Sequence, residues 1–239
     1  MHFYYSYEQA LKQTLKLKMT TTTTTTQELT TTLGKVYIAS KDLYGQRAIV
    51  PTKTIIIDVT SAQQKKNVNR LTFSPMTPIE GKYKGYWNFE AFWQSGKVFE
   101  GIPENDVKRF WKNVEKPTRR YPKSKRKGKA LKVLYTRFEN SEEKMDYVTA
   151  RKKVYVPCYF DLIKEKEQTI YLKQLVMQGL DVVIYDFDGP RTQDGEVMCL
   201  EINEELLNEK INDVRHPFGH GYIVGAWLKN IHPEKYAPP

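Results

Sequence analysis

The stretch with the plainest chemical content is Trp87-Asn-Phe-Glu-Ala-Phe-Trp-Gln-Ser-Gly-Lys-Val-Phe99. Read as a helix at about 100° per residue, it puts Glu90, Gln94 and Lys97 at roughly 0°, 40° and −20°, within about 60° of arc. A carboxylate on such a stripe can stabilise a cation or move a proton, an amide can fix hydroxyls, and an ammonium can meet an anion. An ordinary solvated face would carry the same polar residues, worth about a few tenths of a kcal/mol. Two Trp and three Phe in these thirteen residues speak against water. Phe92 and Phe99 fall opposite the stripe, whereas Trp87 and Trp93 flank it, as in the lining of a pocket.

Two further groups are candidates. Asp186 and Asp188 follow the apolar run Asp181–Tyr185, and the C-terminal end of a buried strand suits catalysis or metal binding. A polar turn closing the strand is the plainer alternative. Gly219-His220-Gly221 opens an apolar segment ending at Leu228. Backbone N–H groups there can approach an anion, and His220 can act as acid, base or diphosphate donor; helix packing explains the glycines equally well. Lys116 to Lys129 is the most basic segment, holding Arg119, Arg120, Lys123, Lys125 and Arg126. It has neither helical nor strand period and reads as a loop, either solvated or contacting phosphate or nucleic acid.

The elements that must position these groups are legible in outline. Residues 1–33 include the threonine run Thr20–Thr26, which specifies no packed core and reads as a flexible extension. Met19 precedes that run and is a candidate start. Residues 34–239 read as one α+β domain, predominantly helical with a few short strands. Strands are expected at 36–39, 54–60, 131–135 and 181–185, the second buried on both faces and the last paired with 197–200. Helices are expected at 107–114, 145–153, 158–179, 204–211 and within 216–228, with Asn203 capping the fourth. The 239 residues carry a formal charge of +10, which favours an anionic partner. Two cysteines without metal spacing around them suggest free thiols in a reducing compartment. No run of eighteen apolar residues or signal peptide is visible, so a cytoplasmic protein without membrane association is expected.

Taken in order, Phe73-Ser74, the Trp87-to-Lys97 element, Met145, Tyr185-Asp186-Phe187-Asp188 and Pro217-Phe218-Gly219-His220-Gly221 resemble the NADAR (NAD- and ADP-ribose-associated, YbiA-like) superfamily, over roughly Leu71 to Leu228. Phe218 stands where that family usually has Trp, and Ala91 where it has His. Residues 191–216 and the basic loop are additions. The resemblance implies a hydrolase, an N-glycosidase cutting a ribose C1–N bond in riboflavin-pathway intermediates or ADP-ribosylated guanine, with no metal and no cofactor. Glu90 would stabilise the cation and orient or deprotonate the water, and Asp186 or Asp188, the other catalytic candidates, would hold a ribose hydroxyl or a second water. Gln94 would fix ribose hydroxyls, Lys97 a phosphate, and Trp87 and Trp93 would stack on base or sugar. Phe73, Ser74, Phe218 and the Gly219–Gly221 turn would complete the binding site, the turn receiving a phosphate. Lys97 is expected to keep Glu90 ionised. Partners would be a phosphorylated ribosyl small molecule or ADP-ribosylated nucleic acid. The alternatives are a non-catalytic ADP-ribose or nucleic-acid binder, and a magnesium phosphatase of the haloacid-dehalogenase type, which Asp-x-Asp-Gly also resembles.

Overall fold

The computed structural model describes residues 32–45, 50–51, 53–126 and 128–238, so the expectations for the threonine-rich segment, apart from its last residues, and for Lys127 lie outside the described residues. The chain runs through β1 (Val36–Ser40), a single turn Lys41–Leu43, β2 (Ile55–Asp58), α1 (Val68–Phe73), α2 (Phe89–Ser95), β3 (Lys97–Phe99) and α3 (Glu104–Asn113). A short hairpin, β4 (Lys125–Arg126) and β5 (Lys129–Ala130), precedes β6 (Val133–Thr136). Then come α4 (Tyr147–Ala150), α5 (Val156–Ile163), α6 (Glu167–Met177), β7 (Val182–Asp186), β8 (Cys199–Glu201), α7 (Glu204–Asn212) and α8 (His220–Leu228). The fold is α+β. Among the described residues no helix is long and apolar enough to cross a membrane.

The main sheet has the order β2-β7-β1-β8, with β1, β2 and β7 parallel and β8 antiparallel to β1. β7 is buried along its whole length, as expected of Val-Val-Ile-Tyr between two neighbours. Two expectations are corrected here. β2 lies at the edge and leaves Ile56 53% exposed, so its apolar run is covered on one face only. β8 pairs with β1, because β7 already has a partner on each side.

α8 crosses β1 and β7, with α5 and α6 packed behind it. It is apolar all round and buried all round, apart from Trp227. Close approach to the sheet depends on Gly221, where a Cβ would stand 2.9 Å from the Asp186 side chain and 3.0 Å from Ile38 Cδ1. Asn203 caps α7 as expected, its Oδ1 accepting the Leu206 N–H at 2.8 Å.

The two long helical segments divide differently from the expectation. α4 passes through a widened turn, Arg151–Tyr155, directly into α5, so residues 147–163 form one helical run. In that turn the Val156 N–H reaches back five residues to the Arg151 carbonyl. Pro157 has no N–H to give and its ring crowds the carbonyl one turn back, and the wider turn takes up the misfit. The expected 158–179 helix is two, α5 and α6, broken at 164–166. The 87–99 stretch is also two elements: α2 ends at Ser95 and Lys97 begins β3. Gly96 sits at the joint because the Phe138 ring would lie only 2.8 Å from any Cβ there.

Candidate active site

Asn88 starts α2 by accepting the Ala91 N–H on its side chain at 2.8 Å. The helix then buries Phe89, Ala91, Phe92 and Trp93 and turns Glu90 and Gln94 to one side, where Gln94 Nε2 donates to Glu90 Oε1 at 2.7 Å. Lys97 joins them from the first position of β3, although it is not on the helix. All three line a cavity of about 160 Å³, together with Trp93, Asp188 and Phe218. The wall is completed by Tyr147, Arg151, Tyr155 and Pro217.

Aromatic rings make the cavity wall stiff. Trp93 lies 4.9 Å from Tyr155, which stacks on Tyr159, and Phe89 meets Tyr155 edge-on at 5.5 Å. This environment decides the electrostatics. Burial raises the pKa of Glu90, against the hydrogen bond from Gln94 and the opposing pull of Lys97, His220 and Arg119. Burial likewise lowers that of Lys97, with Glu90 working the other way. Lys97 does favour the ionised form of Glu90, but desolvation outweighs the ion pair and the net shift is upward. Asp188 is pushed up to about 6, first by burial, then by the neighbouring Asp186 and Glu90 carboxylates, while His220 and Arg119 oppose the rise. Two carboxyl groups thus face one cavity, both shifted toward neutrality, as acid–base work requires.

Asp186 is used differently. It is 1% exposed and does not line the cavity. Its Oδ2 accepts the Gly221 N–H at 2.7 Å, and its Oδ1 accepts the Asp188 N–H at 3.3 Å. The N-terminus of α8 therefore holds an anion of the protein's own. Gly219 permits this, for a Cβ there would stand 2.5 Å from Asp186 Oδ2. His220 is buried beside this pair. Its Nε2 donates to the Val59 carbonyl at 3.0 Å and its Nδ1 faces Asp186 Oδ2 at 3.3 Å, tying the end of β2 to the end of β7. The glycine turn thus positions Asp186 and Asp188, and its Gly221 N–H is already taken.

Other predicted site residues lie elsewhere. Phe73 is in the core, its carbonyl accepting the Tyr159 hydroxyl. Ser74 Oγ accepts the Met76 N–H at 3.3 Å. Trp87 is half-buried outside the cavity lining, with the Lys82 ammonium 4.5 Å over its ring. In the basic segment Tyr121 is buried against Phe99 and Phe110, which anchors the loop, and Lys125–Arg126 pairs with Lys129–Ala130 as β4 and β5. Arg119 donates to Ser61 Oγ at 3.3 Å and its guanidinium lies 5.0 Å over the Phe187 ring. Arg119 and Arg120 are exposed, yet the first acts on Glu90 and Asp188 and the second on Lys97. Lys123 and Lys125 are exposed, and the Arg126 side chain lies outside the described residues.

Arg151 is a cavity-lining residue that the sequence pattern did not single out. It is 1% exposed and has no carboxylate partner among the described residues. Its Nη1 donates to the carbonyls of Lys210, Ile211 and Asp213 at 3.2, 2.8 and 3.1 Å, and its Nη2 to that of His216 at 3.3 Å. The C-terminal carbonyls of α7 and the loop that delivers Pro217 and Phe218 thus converge on one guanidinium. Tyr147, Arg151 and Tyr155 recur every four residues, the same periodic signal carried by Glu90 and Gln94. The adjacent Lys152 and Lys153 mask it by resembling a solvated face.

The site is therefore a small aromatic-walled cavity in an α+β domain, carrying two carboxyls, an ammonium and a buried guanidinium. A family model described as a family of unknown function, DUF6939, matches residues 45–224, a span that includes every residue of the cavity lining. The chain belongs to that family. No curated protein and no solved structure matches it. Among the described residues no group of three or more His, Cys, Asp or Glu side chains is arranged to hold a metal ion.

Proposed function

We propose that the chain is an N-glycosidase hydrolysing the C1–N bond of a phosphorylated ribosyl substrate, of the kind the NADAR resemblance implies. One observation carries the reading. Glu90, Gln94, Lys97, Asp188 and Phe218, which that resemblance selects from three distant stretches of chain, line a single cavity. Its volume of about 160 Å³ suits one sugar-sized group, since whole drug-sized ligands occupy about 300–1,000 Å³. The ribosyl unit enters and the remainder of the substrate stays outside, beside Arg119 and Arg120.

As the C1–N bond lengthens, positive charge grows on C1 and the ring oxygen. Glu90 faces that charge and, its basicity raised by burial, takes a proton from the attacking water. Asp188, poised at about 6, gives its proton to the departing nitrogen. The water oxygen bonds to C1, the nitrogen leaves as a neutral amine, and solvent returns both carboxyls to their starting states. Gln94 orients Glu90 through its 2.7 Å hydrogen bond.

The test incubates the protein with ADP-ribosylated guanine nucleotides, ribosyl-phosphate amines and a metabolite extract, with mass spectrometry for the freed amine. The wild type releases it and Glu90→Gln does not, with unchanged melting. Turnover undiminished in Glu90→Gln removes Glu90 from the mechanism. The exposed cations of the anchored basic loop favour a second reading, a binder without turnover. Calorimetric binding of ADP-ribose with no released amine from any substrate would establish it.

A further inference from the structure

We propose that a second cavity, enclosed by the 71–79 segment, α2 and the corner between α5 and α6, binds a small carboxylate with a benzene-sized apolar body. The cavity measures about 150 Å³ and is walled by Pro75, Ile79, Phe89 and Leu162, with Tyr159 and Lys166 supplying polar atoms. An apolar void of this size accommodates one benzene-sized molecule. The proposal is independent of the hydrolysis proposed above.

Charge accounting selects the ligand. Among the polar side chains around this cavity, three are engaged within the protein. The Tyr159 hydroxyl donates to the Phe73 carbonyl, Thr77 Oγ1 donates to the Arg70 carbonyl at 2.9 Å, and Ser74 Oγ accepts from Met76. Lys166 is the charged group of the lining. Its ammonium is partly buried and donates to a single protein acceptor, the Thr72 carbonyl at 2.9 Å, leaving two donors without a protein acceptor among the described residues. No carboxylate pairs with it among the described residues, and burial alone lowers its pKa. Lysine is rarely buried without a counter-ion. An entering carboxylate would supply that counter-ion, and the ring would cover Leu162, Ile79 and Phe89. The site also borders the catalytic candidate, because the Pro75 carbonyl accepts the Glu90 N–H at 2.9 Å.

Sodium benzoate and its neutral counterpart benzyl alcohol are titrated into the full chain at fixed ionic strength, followed by two-dimensional NMR. Benzoate is expected to saturate with a Kd of about 1 mM, shifting the signals of Ile79, Phe89 and Leu162. Lys166→Met should weaken benzoate about tenfold and change benzyl alcohol less than about twofold. Leu162→Trp, which fills the void, should abolish both. The proposal is overturned by the absence of saturable shifts up to about 20 mM benzoate. It is equally overturned if the wild type binds benzyl alcohol as tightly as benzoate, a comparison that needs no variant.

Discussion

Replacing Arg151 with methionine tests whether the guanidinium is the clamp that holds one wall of the cavity. The substitution keeps most of the apolar stem but strips four backbone carbonyls, those of Lys210, Ile211, Asp213 and His216, of their shared donor. A hydrogen bond to a charged group contributes about 1.5–3 kcal/mol singly. These four share two nitrogens and cannot be summed, so the relevant scale is the loss of one buried charged cluster, about 3–5 kcal/mol. Stacking adds to it, since the guanidinium lies 4.4 Å from the Tyr147 ring. At about 2–4 °C per kcal/mol for a domain of this size, the midpoint should drop by about 6–20 °C. Differential scanning calorimetry measures it, with urea unfolding as a check on two-state behaviour. Arg151→Lys should recover only part, because a point ammonium cannot span carbonyls placed for a planar fork. A methionine variant melting within about 2 °C of wild type would refute the clamp.

Three further outcomes are expected. The folded protein holds the Asp188 proton up to about pH 6, whereas the unfolded chain releases it near 4. Between those values the native state binds more protons, so stability falls as pH rises through the window. Asp188→Asn should flatten that slope and gain about 1–2 kcal/mol at pH 7, read from denaturation midpoints at pH 4, 5, 6 and 7. Gly221→Ala places a methyl 2.9 Å from the Asp186 side chain and should cost about 2–4 kcal/mol by overpacking and by displacing that carboxylate from its N–H, measured by chemical denaturation. Arg119→Ala with Arg120→Ala removes the cation that lowers both cavity carboxyls, so the acidic limb of a pH–rate profile should move up by about 0.3 pH unit at low salt and less at high salt.

Local signals were enough for much of the fold. Asn203 caps α7 because a side-chain oxygen before an amphipathic run has one obvious use. β7 is central because four successive apolar residues, Val-Val-Ile-Tyr, need neighbours on both sides. The errors came where tertiary packing chooses between locally equal options. Nothing within 197–200 tells whether β8 joins β7 or β1, and only the crowding of β7 by β1 and β2 decides it. The continuity of 147–163 was hidden for a similar reason. Pro157 normally opens a helix, and here the widened turn before it lets the helix run past.

For the site, periodicity identified which residues share a face but not the balance of forces on them. Glu90 and Gln94 came out together because four residues is nearly one turn. Lys97 came out for a reason that was not the true one, since it reaches the cavity from a strand after the helix has stopped at Ser95. The sign of the Glu90 shift was beyond any spacing rule. An adjacent cation lowers a carboxyl pKa, while removal of water raises it, and the second quantity depends on Trp93, Tyr155 and Phe218 arriving from separate parts of the chain. The glycine turn shows the same limit. Gly-His-Gly at the start of a helix suggests backbone donors for an anion, and sequence cannot say that the acceptor of the Gly221 N–H is Asp186, 35 residues earlier. That arrangement matters for the electrostatics of the cavity: with Asp186 held on the helix N-terminus by the Gly221 N–H, its carboxylate stays beside Asp188 and adds to burial in pushing the Asp188 pKa up.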